Sequence, residues 1–480
     1  MLVKIGENLR QPKPFYVIFV VEMWERFGYY GMQAILVYYM IQKLGYRDAD
    51  SFNIWSAMVA LVYGFTVIGG YVGDRYLGIK RTIVLGALVL AIGYFLLGIP
   101  NAGVMFAGMG LIAVGTGLFK VNPSSLLSKC YADKDPRIDG AFTLYYMAIN
   151  IGSMFSMLLV PVIATHFGWS VGFWTCSAGL VVTVIYFLVT SSWMKHIDSP
   201  VGLAPMKVLR FIPVIFGTLA LAGVSAWLLQ HLLVTHWFLL AVGIIILIFF
   251  SRLIFISKGR VRKNLIVALI MMLEAVVFFV LYAQMPTSLT LYGVNNVNHT
   301  FLGFAVNPLS YQALNPVVIM FASPVLAYFY TTLGKLGKDL TLPEKFTIGM
   351  FLCSGGFLVG WFSQYFGGTT GMVSSWWMVG IYTLQSIGEL LISGLGLSMV
   401  AQLIPQRFMG LMMGMWFMTT AMASILAGFV ASLTAIPKGI TNPVLTLPIY
   451  THVFFEIGIC TLGFAVFMLL LTPKLNKFLK

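Results

Sequence analysis

Long apolar runs recur along almost the whole chain and are separated by short stretches of charged residues, proline or glycine. A helix that crosses a bilayer needs roughly 20 predominantly apolar residues, and these runs have that length. The pattern therefore predicts an all-α polytopic membrane protein with 14 transmembrane helices. We place them near residues 15–41, 52–73, 79–99, 103–128, 140–165, 170–193, 209–230, 236–256, 264–291, 311–333, 343–366, 372–403, 408–435 and 449–472.

The two middle helices are set apart from the others by more polar connections, over residues 194–208 and 257–263. We interpret this pair as an insertion between two bundles of six helices. The predicted division is an N-terminal bundle over residues 1–194, a linker with two additional helices over 195–260 and a C-terminal bundle over 261–480. Two six-helix halves around a central site resemble the architecture of the major facilitator superfamily.

Composition and charge agree with a membrane protein. Hydrophobic residues make up 59% of the chain and charged residues only 9%, whereas about a quarter of the residues of a soluble domain are charged. The formal net charge of +14 comes mostly from basic residues in alternate loops. This distribution follows the positive-inside rule, so we expect both termini in the cytoplasm and no nucleic-acid partner. A basic face that binds lipid phosphates is the alternative explanation of the charge.

The first span carries a stripe of polar side chains. Its members recur every three or four residues and so share one face of a helix: Glu22, Glu25, Arg26, Tyr29, Tyr30 and Gln33. An ionisable side chain inside a span costs at least ~2.5 kcal/mol and marks a functional site by default. We predict that this face points into a cavity. The alternative is an ion pair that serves packing alone.

Two further charges lie deep in predicted spans. Lys120, in the fourth span, needs a carboxylate partner or a cavity, unless its side chain reaches the headgroups. Glu389 lies too deep in the predicted span over residues 372–403 to reach either interface. Glu274 is a weaker candidate, and Glu456, at the start of the last predicted span, is expected to be structural.

Acids in both halves and a base in the first half suggest a coupling mechanism. Protonation removes the charge of a carboxylate and releases its cationic partner, which can couple proton entry to a conformational change. The same charges suit a zwitterion, which favours peptides or amino acids over sugars. The six histidines lie at span ends or in loops, so we expect carboxylates to carry the proton.

The loop after the second span contains a local motif, GYVGDRYLGIKR, at residues 70–81. It resembles the second-loop signature of the major facilitator superfamily, with one residue inserted. Small residues allow close approach of helices, and the acid can pair with a cation or cap the next helix. We predict a loop that acts in conformational change, and the alternative is an ordinary charged loop. The residues concerned are Gly70, Asp74, Arg75 and Arg81.

The sequence contains cysteines and one hydrolase-like segment, but neither forms a convincing catalytic or metal-binding motif. The four cysteines have no metal-ligand spacing. Residues 168–172, GWSVG, fit the nucleophile elbow of hydrolases, but that motif requires a strand-to-helix turn over an α/β sheet. Here the segment begins a predicted span, with Ser170 expected as a helix N-cap. The sequence therefore predicts no enzyme, no metal site and no cofactor.

Several segments carry a family resemblance. Residues 22–31, EMWERFGYYG, look like the signature of the proton-dependent oligopeptide transporters. Residues 142–152, FTLYYMAINIG, look like a second signature. Shorter matches are GLFKVNPS at 117–124, YQALNP at 311–316 and GELLIS at 388–393. The resemblance covers essentially the whole chain, including the two inserted helices, and is greatest to the bacterial dipeptide and tripeptide permeases.

The resemblance implies two sets of functional residues. The proton-coupling set is Glu22, Glu25, Arg26 and Lys120. The peptide-binding set is Tyr29, Tyr30, Gln33, Tyr38, Tyr63, Lys120, Asn150, Asn315, Glu389, Ser393 and Trp416. In this scheme Lys120 attracts the peptide carboxylate and Glu389 holds the amino terminus. The two asparagines bond the peptide backbone, and Trp416 forms a side-chain pocket.

One position departs from the family pattern. Many members have arginine where this chain has Gln33, and that arginine helps to bind the peptide carboxylate. In this chain the task would fall more on Lys120.

Taken together, the resemblance implies a proton-coupled symporter that imports di- and tripeptides across the bacterial inner membrane by alternating access. Its partners would be peptides, protons and the lipid bilayer, with the proton as coupling ion in place of a cofactor. A monomer would suffice, because one chain holds the full site. The alternative is a family member that transports another small solute, such as nitrate or a peptide-like drug.

Overall fold

The computed structural model describes residues 10–132, 135, 137–205, 207–336, 340–404 and 409–479. The terminal residues, which we expect in the cytoplasm, lie outside these ranges. Within them the first half of the chain forms helices α1 (Lys13–Gln42), α2 (Asp48–Gly64), α3 (Thr66–Tyr71), α4 (Ile79–Leu97), α5 (Ala102–Lys120), α6 (Asn122–Ser128), α7 (Ile138–Phe167), α8 (Trp169–Thr190), α9 (Pro200–Leu203) and α10 (Phe211–Gln230).

The second half is also helical apart from one small hairpin. It contains α11 (Leu232–Ile256), α12 (Gly259–Tyr282), α13 (Ser288–Asn296), β1 (Thr300–Phe301), β2 (Phe304–Ala305), α14 (Leu314–Lys335), α15 (Leu342–Phe362), α16 (Trp376–Leu403), α17 (Met409–Ser432) and α18 (Pro443–Leu479). A π-helix at Val72–Tyr76 follows α3, and 3₁₀ turns lie at Ser191–Met194, Val208–Arg210, Pro308–Ala313 and Ser363–Phe366.

The predicted all-α polytopic fold is confirmed. By length and composition, 13 helices among the described residues are able to cross a membrane. The 30-residue helix α1 is long enough as well and is set apart by the charges of its polar stripe. With α1, the number of spans agrees with the 14 predicted from the apolar runs.

Helix α12 ends before the predicted span over residues 264–291 does. Helix α12 ends at Tyr282 because Pro286 has no N–H to donate and its ring would clash with the preceding turn. The chain then forms the short helix α13 and a hairpin, which the sequence analysis did not predict. The hairpin turns through Leu302 and Gly303, both with positive φ, as a type I′ turn requires.

Two local predictions about helix starts were wrong. Ser170 is not an N-cap, because Gly168 fills that position with a φ of 98°, a conformation that favours glycine. Glu456 is not at the start of the last helix, because α18 already begins at Pro443, where Asn442 accepts a hydrogen bond from the Val444 N–H. Glu456 instead pairs with His452 at 3.3 Å on an exposed face.

The chain divides into two compact units. Unit 1 comprises the residues up to Leu36 together with Leu61–His231, and unit 2 comprises Val37–Ala60 and the residues from Leu232 onward. In unit 1, α4 packs against α5 and α8, and α10 packs on α5. In unit 2, α15 packs between α16 and α18, while α11 and α12 both pack on α17. The predicted bundle and linker boundaries stay a prediction.

Candidate functional site

The polar stripe of α1 folds into a buried ion-pair cluster in unit 1. Arg26 Nε lies 3.1 Å from Glu22 Oε1, and Arg26 Nη2 lies 2.6 Å from Glu25 Oε2. All three side chains are at most 4% exposed. The helical spacing of these residues makes both contacts possible from one helix face. The predicted acid–base pair therefore exists and includes the second acid.

Helix α7 packs against α1 beside this cluster. A Cβ built on Gly152 would overlap the Met23 carbonyl oxygen, so the bare glycine lets α7 lie directly against α1. Tyr145 of α7 is buried beside Glu22. Asn150, from the same signature-like segment, is buried, and its amide donates to the Tyr146 carbonyl at 2.9 Å.

Lys120 lies at the last residue of α5, where the helix is interrupted. Pro123 cannot continue the hydrogen-bond ladder of α5, and a new helix starts at Asn122. The buried Asn122 amide stabilises this break by donating to the carbonyls of Leu118 and Gly69, at 2.6 and 3.1 Å. The carbonyl end of α5 is the negative end of the helix dipole, which favours a cation at this position.

The Lys120 amine faces the cluster of α1 rather than the headgroups. Its Nζ lies 3.6 Å from the centroid of the Tyr63 ring, which is a cation–π contact. It also interacts electrostatically with Glu25 and Arg26. Two acids and two bases therefore share one site, and their formal charges balance.

The aromatic members of the stripe line the same helix face. Tyr29 and Tyr30 pack edge to face with their ring centroids 5.4 Å apart, and the guanidinium of Arg26 lies 5.7 Å from the Tyr29 ring. Gln33 follows on the same face and is buried. Tyr38 is half-buried and lies in the part of α1 that belongs to unit 2.

In unit 2 the structure brings Glu389 and Asn315 together. The Asn315 amide donates to Glu389 Oε2 at 2.7 Å and to Ser386 Oγ at 3.0 Å. Asn315 lies in the first turn of α14 and Glu389 in the interior of α16, and both are buried. Ser393 lies one turn beyond Glu389 on α16 and is half-buried.

Two other unit 2 residues have different surroundings. Trp416 is buried on α17 and packs edge to face against Phe279, with centroids 6.1 Å apart. Glu274 on α12 is fully buried, and neither of its carboxylate oxygens has a hydrogen-bond partner within the described part of the chain.

The loop motif after the second span is organised by a residue that the sequence analysis missed. Asp74 and Arg75 are exposed, and it is Asp198 that accepts a 2.7 Å hydrogen bond from the Ile79 N–H at the start of α4. The neighbouring Ser199 hydroxyl donates to the Gly73 carbonyl at 3.0 Å. The sequence signal was Asp-Ser-Pro at 198–200, a polar helix start followed by proline at the first helical position.

The remaining members of the motif have separate contacts. Arg81 donates to the carbonyls of Leu77 and Ala204, at 3.2 and 2.9 Å. A Cβ on Gly70 would make only ordinary contact, whereas one on Gly69 would overlap the Gly117 backbone. The close approach predicted for the small residues of this motif occurs at Gly78, where a Cβ would overlap the Gly202 backbone, and at Gly69 just before the motif, but not at Gly70.

No group of three or more His, Cys, Asp or Glu side chains in the described ranges could hold a metal ion.

The chain is similar to bacterial peptide permeases over nearly its whole length. It is 51% identical over 471 residues to the dipeptide and tripeptide permease B of Salmonella typhimurium, covering 98% of this chain and 96% of the relative. It is 51% identical over 470 residues to the dipeptide and tripeptide permease A of Serratia proteamaculans, covering 98% and 92%.

Solved structures agree. The crystal structure of tetrameric PepTSo2 matches with a TM-score of 0.87 and 37% identity, over 97% of this chain and 98% of that one. A bacterial homologue of the human drug peptide transporters PepT1 and PepT2 matches with a TM-score of 0.84 and 35% identity, over 97% and 98%. A family model described as the POT family matches residues 80–446. The chain belongs to the POT family.

Proposed function

We propose that this protein is a proton-coupled symporter that imports dipeptides and tripeptides by alternating access. The relatives that it resembles over almost their full length are named dipeptide and tripeptide permeases. As a carrier it needs no catalytic centre and no cofactor, and the proton is the coupling ion. The observation that carries the proposal is the cluster of the buried Glu22, Glu25 and Arg26 on α1, with the half-buried Lys120 of α5 beside it.

The charge balance of this cluster suggests how proton uptake is coupled to peptide binding. When one of the two glutamates takes up a proton, the cluster gains one positive charge in a low-dielectric site. The attraction that holds Lys120 towards Glu25 weakens, and the amine becomes available to the carboxylate of a peptide. Loss of the proton restores the ion pairs and releases the peptide carboxylate. Proton and peptide are then bound and released together.

The other end of the peptide is assigned to unit 2. Glu389 is a buried carboxylate that accepts one hydrogen bond from Asn315. A peptide ammonium brings three donors and a positive charge, which suits the remaining lone pairs of Glu389. We assign Asn150 to the peptide backbone and Trp416 to a side-chain pocket. Tyr29, Tyr30, Gln33, Tyr38, Tyr63 and Ser393 complete the proposed peptide-binding set.

The proposed location is the bacterial inner membrane, with both termini in the cytoplasm. The basic residues of the alternate loops support this orientation. The partners are peptides, protons and the bilayer, and a monomer carries all of the proposed residues. We propose that the loop motif with Gly70, Asp74, Arg75 and Arg81 moves with α4 during the transport cycle.

The deciding experiment is uptake of a labelled dipeptide into proteoliposomes, with and without an inward proton gradient. Di- and tripeptides should compete with the labelled dipeptide, whereas tetrapeptides, free amino acids and nitrate should not.

Lys120→Ala and Glu389→Gln should yield inserted, folded protein that fails gradient-driven uptake. Uptake that ignores the gradient would refute coupling. Wild-type-like driven uptake in both variants would refute the assigned residues, and competition by nitrate alone would favour another substrate.

A further inference from the structure

A cavity of about 460 Å³ lies between α4, α8 and α10 in unit 1, away from the ion-pair cluster. Its walls are apolar side chains from all three helices, among them Leu85, Leu88, Phe187 and Phe211. Two basic side chains, Lys80 and Arg81, line it at the first turns of α4. It therefore combines an apolar body with a cationic end.

The cavity opens towards the bilayer. Leu88 on α4, Leu188 on α8 and Ile215 on α10 all line it and are exposed side chains on the outer surface of unit 1. Trp193, two residues beyond the lining residue Ser191, lies in cation–π contact with Lys13 at 5.8 Å. A tryptophan beside a lysine at a helix end marks the headgroup level. The cationic end of the cavity thus lies at the interface and its apolar body in the hydrocarbon.

The positive charge at the cavity mouth is only partly neutralised. Lys80 donates to the Met194 carbonyl at 2.8 Å and lies 4.0 Å from Asp198, which already accepts two backbone N–H bonds. Arg81 donates only to two carbonyls, and no acid lies within ion-pair distance of it in the described ranges. A guanidinium has five N–H donors, so donors of Arg81 remain for an anion.

We propose that this cavity binds an anionic phospholipid, with its phosphate at Arg81 and Lys80 and one acyl chain along the apolar wall. Phosphate pairs well with guanidinium, and a basic pocket between membrane helices on the predicted cytoplasmic side suits an anionic headgroup. The occupant is a lipid rather than free phosphate, because most of the wall is apolar. The site is a property of unit 1 and does not depend on the transported substrate.

The test is native mass spectrometry of the purified full-length protein titrated with phosphatidylglycerol or with phosphatidylcholine of the same acyl chains. Phosphatidylglycerol should bind at least about fivefold more tightly, and Arg81→Gln should remove about fivefold of that preference. The matched control is Arg262→Gln, an exposed arginine outside the cavity, which should leave the preference unchanged. Equal effects of the two substitutions, or equal binding of the two lipids to the wild type, would overturn the proposal.

A second pair of variants tests the apolar wall without a change of charge. Ile215→Trp places a bulky ring in the cavity, whereas Ile212→Trp, on an exposed position of the same helix, does not line it. The first should weaken lipid binding and the second should not. If millimolar inorganic phosphate displaces phosphatidylglycerol from the wild type, the site recognises the anion alone and the lipid assignment is wrong.

Discussion

The Asn315 amide donates a 2.7 Å hydrogen bond to the Glu389 carboxylate, and both side chains are buried. We predict that Asn315→Leu raises the apparent KM for dipeptides by about tenfold or more, since a hydrogen bond to a charged group contributes roughly 1.5–3 kcal/mol. The measurement is uptake in proteoliposomes. Asn295→Leu is the matched control, because its amide donates to the Tyr450 hydroxyl in the same unit. Equal losses in both variants would assign the effect to packing.

The Arg26 guanidinium is the counter-ion of two buried acids. Arg26→Gln leaves Glu22 and Glu25 without their nearest cation, and we expect a loss of about 3–5 kcal/mol in the free energy of unfolding. The apparent melting temperature in detergent measures this, and Glu25→Gln in the same chain should restore part of it. Arg47→Gln removes an exposed ion pair with Asp50 and should leave the melting temperature unchanged. An equally stable Arg26→Gln protein would contradict the structure of the cluster.

The Lys120 amine contacts the Tyr63 ring. Tyr63→Phe keeps this cation–π contact, whereas Tyr63→Leu removes it. We expect a dipeptide KM within about threefold of wild type for phenylalanine and a rise of about tenfold for leucine, because a desolvated cation–π contact contributes roughly 2 kcal/mol. If the two variants behave alike, the ring does not position the amine.

Gly69 allows α3 to touch the backbone of α5. Gly69→Ala forces the two helices apart, and overpacking of this kind costs roughly 1–3 kcal/mol. We expect a lower melting temperature and a lower yield of folded protein. The neighbouring Gly70→Ala is the control, because its Cβ would lie 3.5 Å from Val121. The prediction fails if both substitutions are tolerated equally.

Gln33 occupies the position at which many family members have arginine, on the same face as Arg26 and Tyr29. We predict that Gln33→Arg changes the order of preference among dipeptides but keeps gradient-driven uptake. The added cation should strengthen the dependence on a free peptide carboxylate. Competition with C-terminally amidated dipeptides measures this, and complete inactivity would show that this helix face tolerates no further charge.

Most of the fold follows from the apolar runs, because a bilayer requires each span to satisfy its own backbone hydrogen bonds. The exceptions arise where local chemistry overrides hydropathy. Pro286 ends α12 within an apolar run, and Asn442 with Pro443 starts α18 before the apolar run begins. Hydropathy alone carries neither signal, although the residue types do.

The α1 cluster was predictable in part, because helical spacing places its acids beside Arg26. That Lys120 faces the Tyr63 ring was not predictable, since the contact joins residues from separate helices and depends on the break after α5. Asp198 was missed for a related reason. A polar residue after a span looks like an ordinary loop residue until the fold brings it to the first turn of α4.

The break between α5 and α6 has a mechanical meaning. A helix bends more easily where a backbone hydrogen bond is missing. The break at Asn122 is therefore a position at which α6 can bend relative to α5. Lys120 lies on the α5 side of this break, and its amine lies over the Tyr63 ring. Any swing of α6 changes the field of carbonyl dipoles behind that amine. A bend at this break can therefore convert a change in the angle between α5 and α6 into a change of electrostatic potential at the Lys120 amine.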